Sequence, residues 1–436
     1  MNPTFWQEEL ETMPRPALER LQLERLQESL RRAATSPFYS RVFRERNIRP
    51  EDIRSLADVR KLPFTVKDDL RQNYPFGLLT VPQDEIVRMH CTSGTTGNPA
   101  AVLYDRHDLD SWANLIARSL YATGARPSDV FQNMSGYGLF TGGLGFQYGA
   151  EKLGMMTIPA AAGNSKRQIK LMRDFGTTCA HSVPSYLGRL HAVFAEQGLD
   201  PARDTQLKRL FIGAEPHSEE TRRRIQEMFG CKAYNSFGMT EMNGPGVAFE
   251  CECQADMHVW EDCYLIEIVD PETLEPVPDG TEGEMVLTTL DRHAMPLIRY
   301  RTRDLTRIIP EPCACGRTHR RIARITGRSD DMFIIKGCNV FPIQIERVLM
   351  RIPNVANDYL ITLDTNEEGD TMLVQAELAP DSFTDDYKQL ETLRKRIARE
   401  LCDEILVTPT VQLVAPGALP KSEGKAVRVI DHRVKV

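Results

Sequence analysis

The 436-residue chain carries 54 Lys and Arg against 61 Asp and Glu, a formal net charge of -7, and is 41% hydrophobic and 26% charged. That is length for two or three domains with real cores and an ordinary globular balance, and its acidity argues against nucleic acid as the main partner. No apolar run approaches the roughly 20 residues that span a bilayer; the N-terminus lacks the basic and apolar segments of an export signal, so the ten cysteines point to reduced thiols or metal ligands in the cytoplasm rather than to disulfides.

In chain order, Leu18, Leu21, Leu23, Leu26 and Leu30 recur at helical spacing and predict a helix over 16–33. Its polar face mixes both charge signs, which suits packing on its own domain better than docking on a membrane. Residues 85–90 read as a strand, and a helix begins near Asp108. Between them, Cys91-Thr-Ser-Gly-Thr-Thr-Gly97 holds four hydroxyls and two glycines. Glycine lets backbone N–H groups converge and the hydroxyls add donors, so Ser93, Gly94, Thr95, Thr96 and Gly97 predict a cradle for phosphate oxygens. The GxxxxGK[ST] spacing of a Walker loop is absent.

From about 85 to 240, strand signals (129–133, 154–159, 178–183, 210–213) alternate with helical ones (108–121, 166–175, 219–228), which predicts a largely parallel α/β sheet covered by helices. Residues 257–309 become Val/Ile/Leu-rich strands divided by turns, an antiparallel or barrel-like region. Beyond Asp330-Asp331 come a short strand, a helix over 343–350, strands near 359–363 and 372–378, a helix over 386–405 and a strand at 411–414. The expected organisation is a large domain, 1–329, and a small α+β domain, 330–436, of about one hundred residues.

Five constellations carry chemistry. Tyr234-Asn-Ser-Phe-Gly-Met-Thr-Glu241 ends a buried strand in a polar turn: Gly238 brings backbone close to a flat ligand, Thr240 can donate to phosphate, and Glu241 is a hard oxygen ligand for Mg²⁺. In Ile298-Arg-Tyr-Arg-Thr-Arg-Asp304, Arg299, Arg301 and Arg303 would share a strand face, and Asp304 is the single carboxylate that ribose hydroxyls call for. A surface salt-bridge ladder is an equal reading of those arginines. Thr326-Gly-Arg-Ser-Asp-Asp331 falls at the change of pattern, where Asp330 and Asp331 would be a hinge and Arg328 would reach the nucleotide. Lys425, after Gly424, would project from a loop and neutralise charge in phosphoryl chemistry. Cys251, His258, Cys313 and Cys315 make a closed structural zinc set by ligand type, with Cys253 a rival to Cys251.

With these segments in this order the chain resembles the adenylate-forming superfamily of acyl-CoA synthetases, adenylation domains and luciferases, closest to its phenylacetate–CoA ligase family. Lys61-Leu-Pro-Phe-Thr-Val-Lys-Asp-Asp-Leu70, Gly136-Tyr-Gly-Leu-Phe-Thr-Gly-Gly-Leu-Gly145, Tyr300-Arg-Thr-Arg-Asp-Leu305, Gly327-Arg-Ser-Asp-Asp-Met332 and Ser422-Glu-Gly-Lys-Ala426 carry the likeness over nearly the whole chain. The resemblance implies that 93–97 hold the triphosphate and that Gly213, Ala214, Glu215, Pro216, Asn235, Ser236 and Phe237 line the adenine. It gives Mg²⁺ to Glu241, the ribose to Asp304 and Arg328, adenylation to Lys425, and an aryl pocket to Tyr137, Phe140, Gly143 and Phe237. It further implies ATP and CoA as substrates beside an aryl acid, and a homodimer. The loop continues Asn98-Pro-Ala without the lysine many superfamily members carry; 236–241, Phe146-Gln-Tyr, Lys336 and Cys338 also depart from the usual pattern. Two other expectations fit the same fold: an adenylyltransferase acting on a deazaflavin-type coenzyme, and a non-catalytic nucleotide-binding homologue.

Overall fold

The computed structural model describes residues 4–92, 98–336, 338–366, 369–384, 386–420 and 426–433. The predicted phosphate loop, 93–97, and Lys425 therefore lie outside the described residues. The chain forms two compact units: Met1–Ser182, Thr205–Ala214 and Tyr234–Arg324 make one, and Val183–Asp204, Glu215–Ala233 and Ile325–Val436 make the other.

The first unit is built on a nine-stranded sheet. Before it, β1 (Arg88–Cys91) and β2 (Ala101–Tyr104) form a separate antiparallel pair. The sequence reading passed from strand to loop to helix and missed β2, whose four residues are buried on both faces and show no alternation. The large sheet takes β3 (Val130–Asn133), β4 (Met156–Ile158), β5 (Cys179–Ser182) and β6 (Arg209–Gly213) as its parallel part. β5 is buried throughout, β3 and β6 are buried beyond their first residue, and β4 is exposed at its start, so the sheet is covered mainly at its centre, as parallel sheets are. Next to β6 lies β7 (Lys232–Met239), and from there the sheet turns antiparallel through β8 (Gly244–Glu250) and β9 (Met257–Val259). The predicted parallel core is thus half of a mixed sheet. An aromatic core of Trp112, Phe131, Phe146, Phe211, Tyr234 and Phe249 packs on it. The helix Arg106–Ala122 starts where Asp105 accepts the N–H of Asp108 at 2.7 Å, an N-terminal cap.

The β-rich region 257–309 is antiparallel, as expected. Here β10 (Tyr264–Val269), β11 (Gly283–Thr289) and β12 (Tyr300–Thr306) pair in sequence order. β13 (Ile308–Ile309) and β14 (Arg321–Ile322) then join the edge of the large sheet at β9.

In the second unit, strands Gly369–Leu378 and Val355–Asn366 pair antiparallel, flanked in parallel by Thr410–Val414 and Val429–Asp431. Helices Pro342–Arg351 and Tyr387–Ile405 supply Ile345, Leu349, Ile397 and Leu401 to a core with Ile361 and Val374. The strand Val429–Asp431 escaped the sequence reading, being three residues long.

Candidate active site

The residues expected to line the adenine rest on the adjoining ends of β6 and β7. A Cβ at Gly213 would stand 2.5 Å from the carbonyl oxygen of Ser236, so only glycine lets the two strands close. The hydroxyl of Ser236 donates to the Ile212 carbonyl at 3.0 Å, and the Asn235 N–H donates to Glu250 at 2.7 Å. Ala214 follows in the left-handed region, φ 66°. β7 then enters the single 3₁₀ turn Thr240–Met242. Gly238 is a second close approach: its Cβ would lie 2.1 Å from the Gly244 carbonyl oxygen.

Glu241 is buried and held from several sides. Its Oε1 accepts the Tyr300 hydroxyl at 3.2 Å and lies 3.5 Å from Lys67 Nζ. Its main-chain oxygen accepts Arg292 NH1 at 2.6 Å, and the next carbonyl, of Met242, accepts the Tyr264 hydroxyl at 2.9 Å. Oε2 takes no hydrogen bond among the described residues. A fixed carboxylate with one oxygen to spare suits a hard cation such as Mg²⁺. Asp304, also buried, lies on β12 four residues beyond Tyr300, and its N–H donates to Thr302 Oγ1 at 3.1 Å. Sequence reading proposed Glu241 and Asp304 but gave no role to Lys67, Tyr300, Tyr264 or Arg292. Lys67 and Tyr300 do stand inside the quoted segments.

The three arginines do not share one strand face. Arg299 precedes β12 with φ 46° and Arg303 has φ 69°, which breaks the alternation. Arg299 forks onto Glu267 at 3.0 and 2.9 Å, Arg301 onto Glu284 at 2.8 and 2.8 Å, and Arg303 lies 3.5 Å from Glu284. They are a salt-bridge ladder tying β12 to β10 and β11.

The residues expected to form the aryl pocket gather at the start of the helix Thr141–Leu153. Tyr137 accepts from Asn133 Nδ2 at 3.0 Å and donates to Gln147 at 2.8 Å, while Asn133 also donates to the Gly143 carbonyl at 2.6 Å. Partial burial pushes the Tyr137 hydroxyl's pKa up. Phe140 caps that helix and is exposed. Phe146 stacks on His181 with ring centroids 3.7 Å apart, and His181 shares a hydrogen bond with Ser135 at 3.0 Å. Burial lowers the pKa of His181 to about 3, so the ring is neutral. The Thr141 side chain and Gly244 are in close contact, and Gly244 backs Gly238, so the helix start abuts the turn that carries Glu241. Phe237 lies opposite Ala248 on β8. No ring contact among the described residues joins it to Tyr137 or Phe140.

In the second unit, Glu215 accepts the hydroxyl of Ser185 at 2.8 Å and the N–H of Ala426, the residue after Lys425, at 2.8 Å. Pro216 follows it. Arg328 forks onto Asp330 at 2.9 and 2.9 Å and lies 3.6 Å from Asp331.

The predicted metal set comes together in the first unit. One ligand atom each from Cys251, His258, Cys313 and Cys315 fall within 4.8 Å of one another. Cys251 and Cys313 Sγ are 3.7 Å apart, and Cys315 Sγ lies 3.3 Å from His258 Nε2. A tetrahedral zinc ion would set these separations at about 3.8 and 3.5 Å. His258 Nδ1 is 3.1 Å from the His319 carbonyl oxygen. Donation there fixes the tautomer and turns Nε2 to the thiols. Cys253 is exposed and outside the cluster.

The AMP-binding enzyme family matches residues 39–290, and the AMP-binding enzyme C-terminal domain matches 337–433. The phenylacetate-coenzyme A ligase of Thermus thermophilus is 45% identical over 98% of this chain and 100% of its own. That of Escherichia coli is 41% identical over 97% of each. The solved 2-hydroxyisobutyryl-CoA ligase in complex with 2-HIB-AMP aligns with TM-score 0.93 at 32% identity, over 99% of this chain and 93% of its own. The chain belongs to the AMP-binding enzymes and, within them, to the family of the phenylacetate–coenzyme A ligases.

Proposed function

We propose that the chain is an AMP-forming acid–CoA ligase that activates a phenylacetate-like aryl acid. The near-full-length identity of 41 to 45% to phenylacetate-coenzyme A ligases carries this reading. The acid's carboxylate attacks the α-phosphorus of ATP, forming the acyl–phosphate bond as pyrophosphate leaves with the electron pair of the broken P–O bond. The CoA thiol then attacks the acyl carbonyl, passes its proton to solvent, and AMP leaves.

Within this reading the chain's own groups position and neutralise. The loop 93–97 takes the triphosphate, and Gly213, Ala214, Glu215, Pro216, Asn235, Ser236, Phe237 and Gly238 line the adenine. Asp304 and Arg328 take the ribose, Tyr137, Phe140, Gly143 and Phe237 the aryl group. Thr240 donates to phosphate, and Lys425 offsets charge in the adenylation transition state. Mg²⁺ at Glu241 would screen the phosphate oxygens. Residues 330–436 move about Asp330 and Asp331 between the half-reactions. Cys251, His258, Cys313 and Cys315 hold a structural zinc ion, and the chain works in the cytoplasm as a homodimer. Among the described residues no helix is long and apolar enough to cross a membrane.

The test is release of pyrophosphate and AMP from Mg-ATP across phenylacetate, hydroxyphenylacetate, indoleacetate and benzoate, with and without CoA. Acid-dependent pyrophosphate with CoA-dependent AMP and thioester is expected. AMP retained on a product without CoA would favour an adenylyltransferase, and silence with every acid a non-catalytic homologue.

A further inference from the structure

Arg292 sits in the connection between β11 and β12, and its flanks are pinned. Asp291 accepts the Ser111 hydroxyl at 2.6 Å, and the Asp108 carboxylate takes the N–H groups of His293 at 2.7 Å and Ala294 at 3.0 Å. The side chain is thereby driven inward, and Arg292 is only 2% exposed. Three other buried arginines of this unit pair with carboxylates, Arg118 with Asp262, Arg299 with Glu267 and Arg317 with Glu11, while Arg321 donates to the Ala255 and Glu311 carbonyls. Arg292 makes no carboxylate pair among the described residues. NH1 donates to the Glu241 carbonyl at 2.6 Å, and Nε and NH2 have no partner among the described residues. The guanidinium carbon lies 5.4 Å from the ring centroid of Tyr104, whose buried hydroxyl is equally without a partner there.

The buried Asp108 carboxylate acts on this guanidinium through space but makes no direct hydrogen bond to it, so a salt bridge does not account for its placement. What it does is local. The 3₁₀ turn Thr240–Met242 is too short to satisfy its own carbonyls, and side chains from elsewhere take them, Arg292 at Glu241 and Tyr264 at Met242. With Tyr300 and Lys67 on Oε1, Glu241 is held at both ends.

We propose that Arg292 is a positioning residue for adenylation: by holding the Glu241 carbonyl it fixes the turn that aims the Glu241 carboxylate at the metal. This rests on the reading of Glu241 as the metal-binding carboxylate. Partners that orient a metal ligand typically change metal affinity by 10- to 100-fold when removed.

The experiment compares wild type, R292M, R292K and E241Q. Binding of Mn²⁺ in the presence of ATP is followed by electron paramagnetic resonance, beside melting temperature and the two half-reactions. R292M is expected to weaken Mn²⁺ binding about tenfold and to slow pyrophosphate release, leaving thioester formation from supplied acyl-adenylate unchanged; R292K recovers most of the loss. Should R292M not fold, R292Q replaces it. Wild-type Mn²⁺ affinity in R292M, with only a lower melting temperature, overturns the proposal. If E241Q also binds Mn²⁺ as wild type does, the metal reading of Glu241 falls first and the role of Arg292 with it; if E241Q alone weakens binding, only the role of Arg292 falls.

Discussion

Gly238 is glycine because of what its α-carbon faces. A methyl group there would overlap the backbone of Gly244, which cannot swing aside as a side chain can. Gly238→Ala should cost about 1–3 kcal/mol through forced backbone movement and should displace the turn that carries Glu241. Melting temperature and pyrophosphate release should fall together; wild-type values for both would show that the strands part freely. His181 gives a second prediction. Its folded pKa of about 3 lies below the roughly 6.5 of an unfolded histidine. Between those values the unfolded chain binds a proton that the folded one refuses, so the stabilisation present above about pH 6.5 is lost as the pH falls, at about 1.4 kcal/mol per unit. Wild type should therefore lose more melting temperature between pH 7.5 and 5.5 than His181→Gln; identical slopes would remove His181 as a source. Glu241 and Asp304 could be named from sequence as candidates because each is a carboxylate inside a motif that the family resemblance singles out. Their supports could not: Tyr300 and Arg292 lie 59 and 51 positions from Glu241, and nothing local marks a pair so distant.

At the scale of elements, hydrophobic runs betrayed the parallel strands, whereas strands of three or four residues such as β2 and Val429–Asp431 carry too little pattern to be seen. The arginine segment shows a further limit. Strand spacing implied one shared face, but Arg299, before β12 and with positive φ, turns to Glu267 while Arg301 and Arg303 both meet Glu284, a split that composition does not announce. The cysteine–histidine cluster was legible by ligand type, and geometry was needed to choose Cys251 over Cys253. The cluster joins the end of β8 and β9 to the loop before β14. Stripping the ion by chelation, or Cys315→Ser, should lower the melting temperature by several degrees while pyrophosphate release well below the transition stays near wild type. Verified metal loss with an unchanged melting temperature would contradict a structural centre.

For the whole molecule, the alternation of strand and helix announced the α/β class, and the change of pattern near 330 announced a second body. It did not announce that Val183–Asp204 and Glu215–Ala233 group with the C-terminal segment, because such grouping is a property of long-range contacts. If residues 330–436 serve the two half-reactions in turn, Lys425→Ala should slow acyl-adenylate formation by orders of magnitude and largely spare thioester formation from supplied adenylate. Equal loss in both steps would remove Lys425 from its assigned role. The cysteine–histidine cluster also bears on the chain before it folds. Cys251 and Cys313 are 62 positions apart, and the stretch between them contains all of β10, β11 and β12, hence Tyr300 and Asp304. An ion bound at both ends would close that stretch into a ring and strip the unfolded ensemble of conformations worth about 4 kcal/mol by cross-link entropy. The centre would then favour the active fold without touching it, by leaving the disordered chain less room.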